Sequence, residues 1–162
     1  MKIDKKNIII GISSLVLGIL LTLLIVYLTA PGIMLLEDQS VYNFDQSVER
    51  FKNKVKEMGW KIPMTHDMQK TMKKFNKDVR RVKIFELCHP GHAYKILSKD
   101  YERVVSSLMP CRVAIYEKSD GKVYVSRLNS GLMGKMMGGV IPKVMGIASK
   151  ESEIMVNHIL KK

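Results

Sequence analysis

An uninterrupted apolar run near the N-terminus constrains this chain more than any other feature of its sequence. No charged residue occurs from Asn7 to Leu36, and the centre of this stretch, Ile8–Ala30, is mostly apolar. A helix rises about 1.5 Å per residue, so roughly 20 such residues cross the ~30 Å hydrocarbon core of a bilayer. The run therefore predicts a basic N-terminus and a transmembrane helix within residues 1–30, followed by a separate domain at 31–162.

Two other interpretations of the apolar run are a buried core helix and a cleaved signal peptide. A core helix of this length without a polar face is unusual in a small protein. A signal peptide has a shorter apolar region and small residues before its cleavage point, whereas Leu28 occupies one of those positions before Ala30. We therefore expect an anchor that stays attached to the domain.

The charges on either side of the run predict its orientation. Lys2, Lys5 and Lys6 precede it, and the next basic residue after it is Arg50. Because positive flanks stay in the cytoplasm, we expect the N-terminus inside and the domain outside. The sequence thus predicts a single-pass protein of the cytoplasmic membrane, with a periplasmic or extracellular domain and the bilayer as a partner.

Composition excludes several classes of protein. The 162 residues are 46% hydrophobic, with 27 Lys and Arg against 15 Asp and Glu and two cysteines. This apolar content excludes intrinsic disorder, and two cysteines are too few for a disulfide-stapled mini-protein. The chain has no CxxC pair, phosphate-binding loop, GxSxG or HExxH sequence, so a non-enzymatic role is favoured.

The pattern of apolar residues and turn signals predicts the fold class. We expect strands and helices to alternate irregularly, which indicates an α+β domain with a mainly antiparallel sheet and helices packed on it. The predicted elements are a strand in Ile33–Gln39, a helix from Asn43 to about Gly59, a strand at Trp60–Met64, a short helix from about Asp67, a strand at Val82–Leu87, a crossover at 89–110, a hairpin of Cys111–Glu117 and Lys122–Leu128, and a C-terminal helical segment interrupted at Gly138, Gly139 and Pro142.

Two sequence blocks resemble a known family. Cys88–Leu97 reads CHPGHAYKIL, and Pro110–Glu117 is followed by GKVYVS at 121–126. Together they resemble the family of domains of unknown function DUF302, over roughly Ile33–Met137. The resemblance implies a β-α-β4-α fold and a tendency to form homodimers, and it implies no particular activity. Family members commonly have Asn at the position of His89, and many have Gly at that of Cys88.

The two cysteines are the main chemical candidates. The resemblance favours antiparallel strands that bring Cys88 and Cys111 to the same end of the sheet, so we predict that the two thiols lie near each other. A disulfide there would contribute about 3 kcal/mol to stability. The alternatives are a soft-metal site for Zn or Cu(I) formed by Cys88, Cys111 and His92 with His89, a redox or nucleophilic thiol activated by Arg112, and two buried apolar thiols.

A run of basic residues precedes the strand predicted at Val82–Leu87. We expect either a solvated helix face or a contact with an anionic surface or an acidic partner, because nucleic acid is a poor partner outside the membrane. The basic residues assigned to this contact are Lys70, Lys73, Lys74, Lys77, Arg80 and Arg81.

The functional prediction is a membrane-anchored extracytoplasmic binding or sensing module. Two alternatives are a thiol-dependent redox or soft-metal-handling protein and a structural homodimerisation domain. The site residues predicted for the first two are Cys88, His89, Pro90, His92, Cys111 and Arg112.

Overall fold

The computed structural model describes residues 5–160, so Lys2 of the basic flank lies outside the described residues. Helix α1, Lys5–Met34, contains no buried residue and continues past Ala30 through Pro31. It is long and apolar enough to cross a membrane, judged by length and composition. The chain divides into two compact units, and the boundary between them falls between Ile33 and Met34.

The second unit is built on one five-stranded sheet. Its spatial order is β1-β5-β4-β3-β2, and every neighbouring pair is antiparallel, which confirms the predicted sheet type. The strands are β1 Leu35–Gln39, β2 Thr65–Asp67, β3 Val82–Leu87, β4 Cys111–Glu117 and β5 Val123–Leu128.

Helices fill the connections between the strands and the C-terminal part of the chain. They are α2 Phe44–Glu57, α3 Met68–Lys73, α4 Pro90–Leu97, a 3₁₀ helix at Glu102–Leu108, α5 Ser130–Lys135 and α6 Ile141–Asn157. The Asn43 side chain caps α2 by accepting a hydrogen bond from the Gln46 amide at 2.9 Å. Gly59 follows α2 with a φ of +77°, a left-handed conformation that favours glycine.

The main core lies between one face of the sheet and helices α2 and α6. Because side chains alternate along a strand, Phe85, Val113 and Val125 share that face, and each is at most 1% exposed. The helices contribute Phe44, Phe51, Val55, Met155 and Val156. Residues on the other face, such as Ile84 and Ala114, are only half-buried.

Helices α5 and α6 approach each other closely at a glycine. A Cβ atom added to Gly134 would lie 2.7 Å from the Met145 Cβ atom, a distance that side chains do not tolerate. Gly138, in the interruption between the two helices, has open space around it. The interruption predicted at Gly138 and Gly139 is confirmed, since α5 ends at Lys135 and α6 begins at Ile141. The interruption predicted at Pro142 is wrong, because Pro142 lies in the first turn of α6, where a helix tolerates proline.

One predicted strand is wrong. Residues Trp60–Met64 do not form a strand, and β2 lies just beyond them at Thr65–Asp67. Trp60 instead takes part in the C-terminal cap of α2, because its amide donates to the Val55 carbonyl oxygen at 3.1 Å. Pro63 has no amide proton to donate to a sheet, so pairing resumes only after it.

Candidate functional site

The motif that carried the family resemblance forms a turn at one end of the sheet. Strand β3 ends at Leu87, Cys88 follows, and α4 begins at Pro90. The His89 side chain caps α4, since its Nδ1 accepts a hydrogen bond from the His92 amide at 3.3 Å. Proline suits the first position of a helix, where an amide proton has no partner. The sequence around Pro90 therefore fixes the positions of both histidines.

A cavity of about 430 Å³ lies at this end of the sheet. Its walls come from the ends of β3 and β5, the starts of β1 and β4, and helices α4 and α6, and most of the residues lining it are apolar. They include Leu35, Trp60, Leu87, Ile96, Val105, Leu108, Met109, Leu128, Val144, Met145 and Ala148. We call this space the sheet-end cavity.

Five of the six predicted site residues line the sheet-end cavity, and Pro90 does not. Cys88, His89, His92, Cys111 and Arg112 all contribute to its wall. The family motif therefore located the cavity, although the cavity is larger and more apolar than a site built from those residues alone.

A polar cluster forms part of the cavity wall. The Trp60 indole nitrogen donates to Glu151 Oε2 at 2.9 Å, and His92 Nε2 lies 3.0 Å from the same oxygen. A carboxylate only accepts, so His92 Nε2 carries the proton. The His89 and His92 rings stack with centroids 4.2 Å apart, and the Trp60 ring lies edge-on to both.

The charge of Glu151 is maintained inside this cluster. Burial alone would raise the pKa of Glu151, but the hydrogen bonds from His92 and Trp60 outweigh burial and hold the pKa below its ordinary range. The carboxylate thus stays ionised beside an apolar cavity and fixes the orientation of the His92 ring.

The two cysteines do not form a pair, contrary to our prediction. Both thiols are free and half-buried, and the sheet register places Cys111 opposite Leu87, with Cys88 one residue beyond. Burial raises the pKa of the Cys111 thiol, and Cys88 raises it further. Across residues 5–160, no hydrogen bond joins either thiol to His89 or His92.

No metal-binding arrangement is present in the described part of the chain. Residues 5–160 contain no group of three or more His, Cys, Asp or Glu side chains placed to hold a metal ion. Cys88, Cys111 and His92 therefore line one cavity without forming a set of ligands, and the Zn or Cu(I) site stays a prediction.

The two arginines of the cavity have different environments. The side chain of Arg112 is 64% exposed and its guanidinium lies 3.4 Å from Glu86, so Arg112 adds positive charge without being buried. Arg127 is buried, and it donates to Asp38 on β1 and to Glu153 on α6. Arg127 thereby joins the sheet to α6.

Sequence reasoning missed Trp60, Glu151 and Arg127. Trp60 and Glu151 are 91 residues apart in the chain. The segment containing Glu151 also has the charged residues of an exposed helix, so its pattern did not indicate a partner. The one available signal was that Trp60 is the only tryptophan in the chain.

The family assignment follows from the whole domain. The family described as "Domain of unknown function DUF302" matches residues 37–160, which include most of β1, the other four strands, both packed helices and the turn at Cys88. The chain belongs to the DUF302 family. None of the curated proteins compared with this DUF302 chain matches it.

A solved structure of the same family has a similar fold. It is the crystal structure of an uncharacterized conserved DUF302 protein from Bacillus stearothermophilus, with a TM-score of 0.69 and 15% identity. The similarity covers 78% of this chain and 98% of that one. At this identity the likeness establishes the fold of the DUF302 domain alone.

Proposed function

We propose that this DUF302 domain is a non-enzymatic module that binds a small, largely apolar molecule in the sheet-end cavity. The observation that carries the proposal is the cavity itself, whose volume of about 430 Å³ falls within the usual range of roughly 300–1,000 Å³ for small-molecule sites. Such sites combine apolar walls with a few placed polar groups. Trp60, His89 and His92 line the cavity, and Glu151 holds Trp60 and His92 in place by accepting their hydrogen bonds, which matches that description.

The polar cluster indicates what the ligand carries besides its apolar part. His89 Nδ1 accepts from the backbone, so in the neutral ring the proton is on Nε2, which can donate. His92 and Trp60 donate to Glu151 and are therefore already engaged. Arg112 adds a positive charge nearby. We infer a ligand with an apolar body and one hydrogen-bond acceptor, such as a carbonyl or carboxylate group.

The thiol chemistry favours binding over catalysis. A nucleophilic cysteine needs a base within hydrogen-bond reach and a lowered pKa. Cys111 has a raised pKa because it is buried, and within residues 5–160 neither thiol forms a hydrogen bond with a histidine. These features support a binding role more than the thiol-dependent alternative.

The N-terminal helix and its flanking charges support a proposal for where the module lies. We propose that α1 anchors the protein in the cytoplasmic membrane and that the domain lies on the outer side. The support is the length of the apolar helix and the basic residues that precede it. A binding domain held there would sample small molecules outside the cytoplasm.

Tryptophan fluorescence tests the binding proposal directly. Trp60 lines the cavity and is the only tryptophan, so its emission reports on occupancy. The full chain in lipid nanodiscs is titrated with sodium octanoate, a probe that has an apolar alkyl chain and a carboxylate that accepts hydrogen bonds. We expect a saturable change in emission and a rise in the unfolding temperature, because a ligand that binds only the folded state stabilises it.

A variant that fills the cavity provides the control. Ala93 lines the cavity, so Ala93→Phe should abolish the saturable response. Val104→Phe places the same ring at a residue that is 75% exposed and should leave the response intact. An unsaturable response, or equal responses from the two variants, would contradict binding in the cavity.

A further inference from the structure

The segment that follows α3 carries an unusual surface. Within residues 70–80, five basic residues occur with a single acidic residue, Asp78. All five are exposed, and among the described residues no ion pair neutralises them. Together with two apolar residues, Phe75 and Val79, they form what we call the basic patch: Lys70, Lys73, Lys74, Phe75, Lys77, Val79 and Arg80.

The basic patch is held together by backbone hydrogen bonds. The Phe75 and Lys77 amides both donate to the Met72 carbonyl oxygen, at 2.9 and 3.1 Å. Asn76 adopts a φ of +54°, which turns the chain back after α3. The Gln69 side chain then donates to the Val79 carbonyl oxygen at 3.0 Å. The segment thus folds back on itself and gathers these side chains in one small region.

The neighbouring Arg81 marks the limit of the basic patch. Its guanidinium pairs with Asp45 and lies 4.1 Å from the centroid of the Phe44 ring. Lys83 also lies near that ring, at 5.9 Å. Arg81 was expected to join the anionic contact, but the fold uses it to hold β3 against α2. Arg80 is therefore the last residue of the basic patch, and Arg81 does not belong to it.

Two apolar side chains distinguish the basic patch from a charged surface that contacts only water. Phe75 is 67% exposed and Val79 is 37% exposed, and both lie among the lysines. Exposing an aromatic ring to water is unfavourable, whereas a ring beside basic residues fits the headgroup region of a bilayer. An acidic protein surface would match the charges but would give Phe75 no apolar environment.

We propose that the basic patch docks on an anionic phospholipid surface, with Lys and Arg side chains at the phosphates and Phe75 inserted between the headgroups. Each basic residue close to an anionic surface strengthens binding about fivefold. Where α1 spans the bilayer, the tether raises the effective concentration of lipid, so a weak contact is sufficient. This proposal does not depend on what the cavity binds.

Hydrogen exchange of the full chain in nanodiscs tests the proposal. We compare discs of phosphatidylcholine with discs that also contain phosphatidylglycerol. We expect the amides of residues 74–80 to exchange at least about fivefold more slowly in the anionic discs. The K73A/K74A/K77A variant should lose this difference. The variant K52A/K56A/K150A removes three exposed lysines elsewhere and should keep it.

A second measurement tests insertion of residue 75. Phe75→Trp adds a fluorophore at the patch, and the unsubstituted chain gives the background of Trp60, which is only 3% exposed. We expect brominated phosphatidylglycerol to quench the added emission. If the amides of residues 74–80 exchange at the same rate in both kinds of disc, the proposal is overturned in favour of an acidic protein partner. If these amides are protected in anionic discs but the added tryptophan is not quenched, the insertion of Phe75 is overturned.

Discussion

The Arg127 guanidinium forms a two-point contact with the Glu153 carboxylate, with nitrogen–oxygen distances of 2.8 and 2.5 Å. Arg127 is on β5 and its side chain is only 7% exposed, whereas Glu153 is on α6. A buried guanidinium without a carboxylate is strongly unfavourable, so this contact determines where α6 lies on the sheet.

Glu153→Gln should therefore destabilise the domain. A hydrogen bond to a charged group contributes about 2 kcal/mol, and Asp38 remains as a partial partner for Arg127. We expect the free energy of unfolding, measured by urea denaturation with Trp60 fluorescence, to fall by about 2 kcal/mol. Asp100→Asn removes an exposed pair with Arg103 and should change it by less than about 0.5 kcal/mol. Equal losses from both substitutions would contradict the role of the buried contact.

Acid should weaken the polar cluster of the cavity. Because the folded state lowers the pKa of Glu151, the stability that this group contributes is present above the ordinary glutamate pKa of about 4.3. That contribution is lost as the pH falls through the lowered pKa. We expect the unfolding temperature of the unsubstituted chain to fall below pH 4.3 more steeply than that of Glu151→Gln.

The measurement is a thermal unfolding series from about pH 6 to pH 3. Glu49→Gln, at an exposed residue of α2, is the control for removal of one carboxylate and should follow the unsubstituted chain. The difference in unfolding temperature between Glu151→Gln and the unsubstituted chain should change with pH. A difference that stays constant across this range would contradict the presence of a charged Glu151 in the cluster.

The close contact between α5 and α6 requires glycine at residue 134. A methyl group there would meet the Met145 Cβ atom at 2.7 Å, so the helices would have to separate. We expect Gly134→Ala to reduce the free energy of unfolding by about 1–3 kcal/mol. Gly138→Ala adds the same methyl group in open space and should be within about 0.5 kcal/mol of the unsubstituted chain. Chemical denaturation of the two variants distinguishes them, and equal stabilities would show that the helices separate without cost.

The proposed orientation predicts a labelling pattern in intact cells. In a Cys88→Ser/Cys111→Ser background, Ser119→Cys places a single thiol in the exposed β4–β5 turn. A membrane-impermeant maleimide should label it in cells whose inner membrane is intact. Lys5→Cys, at the start of α1, should be labelled only after the membrane is permeabilised. The reverse pattern would place the domain in the cytoplasm.

Local patterns predicted much of the fold. The strand at Val82–Leu87 and the strand Cys111–Glu117 have the predicted limits, and β5 differs by one residue at its start. These strands are bounded by signals close in sequence. The turn between β4 and β5, for example, uses Gly121 with a φ of +75° and an Asp120 side chain that accepts from the Lys122 amide at 2.9 Å.

The candidate site was predictable only in part, because its contacts come from distant segments. The motif at Cys88–His92 identified the turn, since a proline-initiated helix is a local property. Glu151 meets His92 across 59 residues of chain, and no local pattern encodes that contact. The prediction that the two cysteines lie near each other failed for a related reason. Cys111 pairs with Leu87 and not with Cys88, and the sequence of neither strand reveals such a one-residue shift in pairing.

The first strand of the domain and the last segment of the chain are neighbours. Strand β1 pairs with β5, and the Ser40 hydroxyl donates to the Ile159 carbonyl oxygen across 119 residues. During synthesis, β1 emerges directly after the apolar helix but has no partner until β5 and the C-terminal segment have been made. β1 therefore cannot join the sheet until β5 has been made, and contacts of such long range slow folding. A chain interrupted before Val123 would leave β1 unpaired, so the sheet is complete only after β5 and the segment up to Ile159 have been made.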